Sequence, residues 1–318
     1  MYGYGYQYSA IISGGGNPAA AIFGTYKTRV LADGGVVEND ACTIAFLESI
    51  GAGTDIIPSF SFLLDDYSGA AAAYSLRQLS SSYSGDAIRV RRASDNAELN
   101  IGFVANELDT AALTSFASGT NAFVTTWYDQ SGNGLNFTQT TALLQSQIVA
   151  SGSIISFSGK PAIKNNNTGY FINTTTLTLS TYSIFIAGEY DGGAIASRRL
   201  LSFGNNFMLA VSGSTVVQFS QRSGVGSNPI NGGTVALNTD YLQTFIKDAT
   251  YFRNGADVSA EGLISGFGLN NAQMSLFSTT TGGNVISFLG AELIVYGTDE
   301  TTNRSGIETN INTYYGIY

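Results

Sequence analysis

The pattern of apolar and polar positions is dominated by period two. Ala122 to Tyr128 is a β-branched and aromatic run that suits a pleated, half-buried surface. Asp129, Ser131, Gly132, Asn133 and Gly134 then supply the chemistry of a sharp reversal. Ala87 to Arg92 alternates cleanly, with Ile88 and Val90 predicted inward and Arg89 and Arg91 outward. From Thr138 onward, short apolar runs alternate with turn clusters about every ten residues, the spacing of a β-sandwich. The predicted strands there include 154–157, 183–188, 200–203, 207–211, 242–247 and 286–296, and Asn254-Gly255 reads as a hairpin turn.

Helical spacing is rarer. Cys42, Phe46 and Ile50 make one stripe in a helix predicted from about Asp40 to Ile50, with Asn39 as N-cap and Gly51 as stop. Ser68 is a plausible cap for a helix running to Leu79, because Ala72, Leu76 and Leu79 would share a face. A short helix is predicted from Asp109 to Ala117, with Asp109 as N-cap and Leu108 stapled onto Leu113. A last one carries Ile307, Ile311 and Tyr314 on one face and stops at Gly316.

Three blocks in order carry a resemblance. They are Asp65-Asp66-Tyr67-Ser68-Gly69-Ala70-Ala71-Ala72-Ala73-Tyr74-Ser75-Leu76, then Ala87 to Asn96, then Trp127-Tyr128-Asp129-Gln130-Ser131-Gly132-Asn133-Gly134. They resemble the first half of the family B α-L-arabinofuranosidase catalytic domain, a concanavalin A-like jelly-roll sandwich. The same blocks are similar to those of bacteriophage virion proteins that reuse that sandwich. The expected fold is therefore mainly β: a concanavalin A-like jelly roll with a few short helices over residues 61–318. A small N-terminal α/β attachment unit is expected over residues 1–60. Its first residues, Tyr2, Tyr4, Tyr6 and Tyr8, fall at period two and would share a face, making them candidate attachment or oligomer contacts.

Composition narrows the chemistry. The 318 residues carry a net charge of −9, which disfavours a nucleic-acid backbone as partner. With no histidine and Cys42 as the single cysteine, Ser-His-Asp and Cys-His catalysis, the usual zinc sites and an intrachain disulfide all fall away. No apolar run approaches the ~20 residues of a membrane span. No basic, apolar leader is recognised at the N-terminus. No metal or cofactor is expected.

The resemblance also implies where glycosidase carboxylates should stand: a Glu on a mid-domain strand and an Asp after two glycines. The best-matching stretches are Phe207 to Ser214, which has no carboxylate, and Gly282-Gly283-Asn284, which has an amide in the acid position. The expectation is thus a non-enzymatic bacteriophage virion surface protein, made in the host cytoplasm and displayed on the particle as a fibre, decoration or adhesin subunit. Its expected partners are other virion proteins, further copies of itself in a homo-oligomer such as a trimer, and a host-surface glycan. Tyr170 and Tyr190 are the candidate glycan contacts. A purely structural decoration or connector subunit is one alternative, and a glycoside hydrolase or depolymerase is another. Among the remaining carboxylates, Glu189, Asp191, Asp248, Asp257 and Glu292 stay open, while Asp129 is expected to hold its own turn. Arg89, Arg91 and Arg92 are expected on a solvated face, paired with Asp95 or Glu98.

Overall fold

The computed structural model describes residues 62–318 apart from 167, 192–197, 205–206, 213–215, 223–226, 247–250, 259–268 and 280. The expected attachment unit, with Tyr2, Tyr4, Tyr6, Tyr8 and Cys42, lies outside the described residues. The described chain is mainly β, with antiparallel strand pairing and few helices, consistent with a β-sandwich.

The longer strands are β1 Ala70–Ser75, β2 Ile88–Arg92, β3 Ala122–Trp127, β4 Ser146–Ala150, β5 Ile163–Asn166, β6 Phe171–Leu179, β7 Ser183–Glu189, β8 Arg198–Phe203, β9 Phe207–Ser212, β10 Val216–Arg222, β11 Ser227–Thr234, β12 Asp240–Ile246, β13 Leu269–Leu276 and β14 Ser287–Tyr296. One array runs β2–β3–β4–β5–β14–β7–β12, with β1 pairing the second half of β14. A second runs β6–β13–β8–β9–β10–β11. The short strand Phe137–Thr138 joins them, pairing β3 on one side and β6 on the other.

Alternation along β7 and β14 shows how the first array is covered. Ile184, Ile186, Leu293 and Val295 enter the larger core, which also holds Leu201, Phe203, Phe171 and Met274 from the second array. Phe185, Ala187, Ile294 and Tyr296 point the other way into a smaller core with Ile307, Ile311 and Tyr315. That smaller core lies under the C-terminal helix Arg304–Tyr315, which ends at Gly316 in the left-handed conformation. Central strands buried on both faces read as continuous apolar runs, as β14 does.

The predicted helix from Ser68 to Leu79 is instead the strand β1. Local alanine propensity is overridden by pairing with β14, where Ala70 to Ser75 stand opposite Tyr296 to Glu292. The Asp109 prediction matches the structure: helix Thr110–Phe116 follows it, and its carboxylate accepts from the Ala112 amide at 2.9 Å. Asn254 and Gly255 both have positive φ and turn the hairpin between strands Tyr251–Arg253 and Ala256–Asp257.

The Trp127-to-Gly134 block is a latch on β1. Asp129 accepts hydrogen bonds from the amides of Ala73, Ser131 and Leu135, each at 2.9 Å, and from the Ser131 hydroxyl at 2.8 Å. Gln130 accepts from the Leu79 amide and donates to the carbonyls of Ser75 and Arg77. Asn133 donates to the carbonyls of Ala70 and Ala71. This block owes its distinctive sequence to holding the backbone of β1 in place.

Candidate functional site

Residues directly opposite each other in a sheet project from the same face. A single line of such pairs crosses the first array. Arg91 stands opposite Phe123, Phe123 opposite Gln147, and Gln147 opposite Lys164. Lys164 then stands opposite Leu289, Leu289 opposite Glu189, and Glu189 opposite Asp240. Seven strands thus place seven side chains on one face, along roughly 29 Å at ~4.8 Å per strand. Beyond Arg91 stands Glu98 of the strand Glu98–Ile101, paired with Arg89; apart from it this end is cationic, and the other end is acidic.

At the acidic end, Glu189 and Asp240 are half-buried and stand directly opposite each other on neighbouring strands. Burial is the main cause that raises the Glu189 pKa above the ordinary carboxylate range. The Asp240 carboxyl and the charge of Asp191 push the same way, while Lys164 opposes them. Asp240 also accepts from the Ser158 hydroxyl at 2.6 Å, at the turn of the hairpin Ser156–Phe157 and Lys160–Pro161. Asp191 is held by Lys164, Nζ to Oδ2 at 2.8 Å, and its carbonyl accepts from Ser287.

Gly188 makes this placement of Glu189 feasible. A Cβ there would lie 2.3 Å from both the Leu289 carbonyl oxygen and the Phe288 ring. The register between β7 and β14 also shifts between Ala187 and Gly188. A bare backbone lets β7 press against β14 and deliver Glu189 opposite Asp240. Chemically, the pair sets a carboxyl that holds its proton more tightly than usual beside a second carboxyl group, an arrangement suited to general acid–base catalysis.

At the cationic end, a cleft of about 390 Å³ is lined by Arg91, Phe123, Gln145, Gln147, Lys164 and Asn165, among others. The Arg91 guanidinium lies 5.1 Å from the Phe123 ring centre and donates to Gln145 at 2.7 Å and Asn96 at 2.9 Å.

The open carboxylates divide. Glu189 and Asp191 come together with Asp240, which sequence reasoning missed. Glu292 is fully buried elsewhere, paired with Arg77 at 2.9 Å and accepting from Ser75 at 2.7 Å. Asp257 is exposed on its hairpin, and Asp248 lies outside the described residues. Only cross-strand register links Asp240 to Glu189, 51 positions earlier in the numbering, so no local signal pointed to it.

Tyr190 is not a surface ring and is corrected as a glycan contact. It is fully buried, donates to Gln243 at 3.2 Å and packs edge-on against Phe288 at 5.1 Å. Tyr170 is half-buried and stands over Gly282, where any Cβ would come within 2.7 Å of its ring. Gly282 needs that bareness twice, since its φ is +77°. Asn284 follows in the same turn, and its carbonyl accepts from the Arg199 amide of β8 at 2.8 Å. The β9 strand lies alongside β8. The two stretches matched to the glycosidase motifs therefore flank one strand.

Comparison with known proteins supplies the context. The model for the family "Alpha-L-arabinofuranosidase B, catalytic" matches residues 66–186. Probable α-L-arabinofuranosidase B of Aspergillus terreus is 45% identical over 74 residues, 22% of this chain and 14% of that protein. Its counterpart in Aspergillus fumigatus is 46% identical over 74 residues, with the same shares. The chain thus spans a small part of the curated relatives it matches.

Among solved structures, a GH54 α-L-arabinofuranosidase soaked with a cyclic sulfate inhibitor superposes with a TM-score of 0.53 at 15% identity. That match covers 78% of this chain and 64% of the other. An arabinofuranosidase complexed with arabinofuranosyl-α-1,2-xylobiose gives 0.52 at 17% identity, with the same coverage. At these identities the likeness is one of fold. The matches overturn the expectation of a non-enzymatic virion surface protein, since they are with glycoside hydrolases. Low charge bears on solubility and carries no information about chemistry.

Proposed function

We propose that the chain is a glycoside hydrolase that removes α-L-arabinofuranosyl units from polysaccharide, built on a concanavalin A-like jelly roll. The family match over residues 66–186 supports this choice of substrate class. The observation that carries the chemistry is the Glu189–Asp240 pair, opposite each other on neighbouring strands, in which burial and the neighbouring carboxyl raise the Glu189 pKa. The stretches resembling the glycosidase motifs offer no carboxylate at 207–214 and an amide at Asn284, so the acid–base work falls to this pair.

In this reading, the Glu189 carboxyl gives its proton to the glycosidic oxygen as the bond from that oxygen to the anomeric carbon breaks. The departing glycan leaves as an alcohol. Asp240 supplies the carboxylate, which stabilises positive charge at the anomeric carbon. Water contributes its oxygen to that carbon, and its proton restores the carboxyl. The reaction requires the two carboxyl groups to stand about 5 Å or more apart with the sugar between them.

The test is release of free L-arabinose from arabinoxylan by the full chain. Glu189→Gln and Asp240→Asn should each lower the rate by about 100-fold or more, the scale of general acid–base catalysis. Melting temperatures should change little. Release unchanged in both variants would overturn the assignment.

A further inference from the structure

The cleft at the cationic end of the seven-residue line is unused by the proposed chemistry. Three arginines lie on β2, and they differ in their partners. Arg89 pairs with Glu98 at 2.7 Å and Arg92 with Asp95 at 2.6 Å. Arg91, between them, donates to Gln145, Asn96 and the Ala142 carbonyl, which are all neutral. Those bonds fix the guanidinium in one orientation over Phe123 without cancelling its charge.

The wall of the cleft adds a second feature. Asn165 is fully buried and donates through Nδ2 to the Ile286 carbonyl, yet its Oδ1 has no hydrogen-bond partner. The Ser146 hydroxyl beside it is also buried and unpartnered. Both atoms crowd Gly169, where a Cβ would lie 2.8 Å from Asn165 Oδ1 and 2.9 Å from Ser146 Oγ. A buried acceptor left without a donor is costly, and most buried polar atoms in folded proteins have a partner. Alternation turns the Asn165 and Ser146 side chains to the face opposite Gln147 and Lys164, toward the core that holds Ile148 and Ile163, so they support the wall from behind.

From these observations we infer that the cleft is an accessory carbohydrate subsite for a uronic-acid residue of the polysaccharide. The sugar carboxylate meets the Arg91 guanidinium, which is oriented by neutral partners, while the Glu98 carboxylate opposite it is engaged by Arg89. The C–H face of the ring rests on Phe123, and the ring hydroxyls meet Gln147. Lys164 borders the cleft and also reaches Asp191, so one side chain connects this subsite to the carboxyl pair. Phe123 and Glu189 are four strands apart along the line, or about 19 Å. One polysaccharide chain lying across the strands can therefore touch both places. The inference extends the hydrolase reading but is measured by binding alone, so either can fail without the other.

The experiment is calorimetric titration of the full chain with two probes of equal length: xylotetraose bearing one glucuronic acid, and unsubstituted xylotetraose. The acidic probe should bind at least 10-fold more tightly, and its advantage should shrink as salt is raised. Arg91→Gln should abolish the difference, and Phe123→Ala should weaken both probes. Arg92→Gln, which pairs with Asp95 and is not part of the cleft wall, should keep the difference between the two probes. Melting curves of all variants separate folding from binding. Equal affinity for the two probes, no detectable binding of either, or a difference that survives Arg91→Gln in a folded variant would overturn the inference.

Discussion

The Asp129 carboxylate accepts a hydrogen bond from the Ala73 amide at 2.9 Å, across 56 residues of chain. Its other acceptor sites are filled by Ser131 and Leu135. A buried carboxylate used this way fixes a turn and an adjacent strand together. Replacing Asp129 with Ala leaves buried donors unpaired, at a cost of about 3–5 kcal/mol. Chemical denaturation should show that loss. Arabinose release by the fraction that remains folded should be close to normal, and a variant that melts normally but is inactive would contradict this role.

The Arg77–Glu292 pair makes a second prediction about stability. Arg77 binds both carboxylate oxygens of Glu292 at 2.9 Å, and its guanidinium lies 4.6 Å from the Tyr314 ring centre. Arg77→Met alone strands a buried charge and should destabilise by about 3–5 kcal/mol. Adding Glu292→Leu should restore much of that loss. A double-mutant cycle by denaturant melts measures the difference, and additive losses would argue against a coupled pair.

Gly188 is predicted to tolerate no side chain. In Gly188→Ala, the new methyl meets the Leu289 carbonyl and the Phe288 ring at 2.3 Å. Overpacking of this kind costs about 1–3 kcal/mol. Because Glu189 is the next residue, activity should fall further than the stability loss explains. A fall in arabinose release matched wholly by loss of folded protein would show that Gly188 does not position Glu189.

Glu189 also sets a pH dependence. Its folded pKa is raised, chiefly by burial, so the stability linked to its proton is fully present below the ordinary carboxylate pKa. That contribution is lost as pH rises through the raised value. Glu189→Gln should flatten this part of the stability curve. Asp95 behaves in the opposite sense. The Arg92 hydrogen bond, aided by the Ala97 amide, holds it down at about 2, so its contribution is present above the ordinary carboxylate range and fades only in strong acid. Thermal melts from pH 3 to pH 8 for the two chains would show whether the Glu189 effect is real.

Local signals were readable in the sequence wherever the physics is local. The Asp109 cap, the Asn254-Gly255 turn and the inward positions of Ile88 and Val90 all follow from neighbours in the chain. The ion pair of Arg92 with Asp95 is of the same kind, three residues apart. β1 was misread because four consecutive alanines favour a helix in isolation, and only β14, more than 200 residues away, makes them a strand. The line from Arg91 to Asp240 was invisible for the same reason. It exists only once seven strands have chosen their registers, and the partner of Arg91 at Gln145 lies 54 residues off. Tyr190 looked like an exposed loop ring because it follows the strand end at Glu189, yet it faces the core like Ile184 and Ile186.

The central claim is that Glu189 acts as the proton donor, and leaving-group dependence tests it most directly. Steady-state rates of the full chain and of Glu189→Gln should be compared on 4-nitrophenyl α-L-arabinofuranoside and on an arabinofuranosylated xylo-oligosaccharide. Nitrophenolate departs with little help from an acid, whereas a sugar alcohol needs the proton. The loss in Glu189→Gln should therefore be at least 10-fold greater on the oligosaccharide than on the nitrophenyl substrate. An equal loss on both, or no loss on either, would contradict Glu189 as the acid.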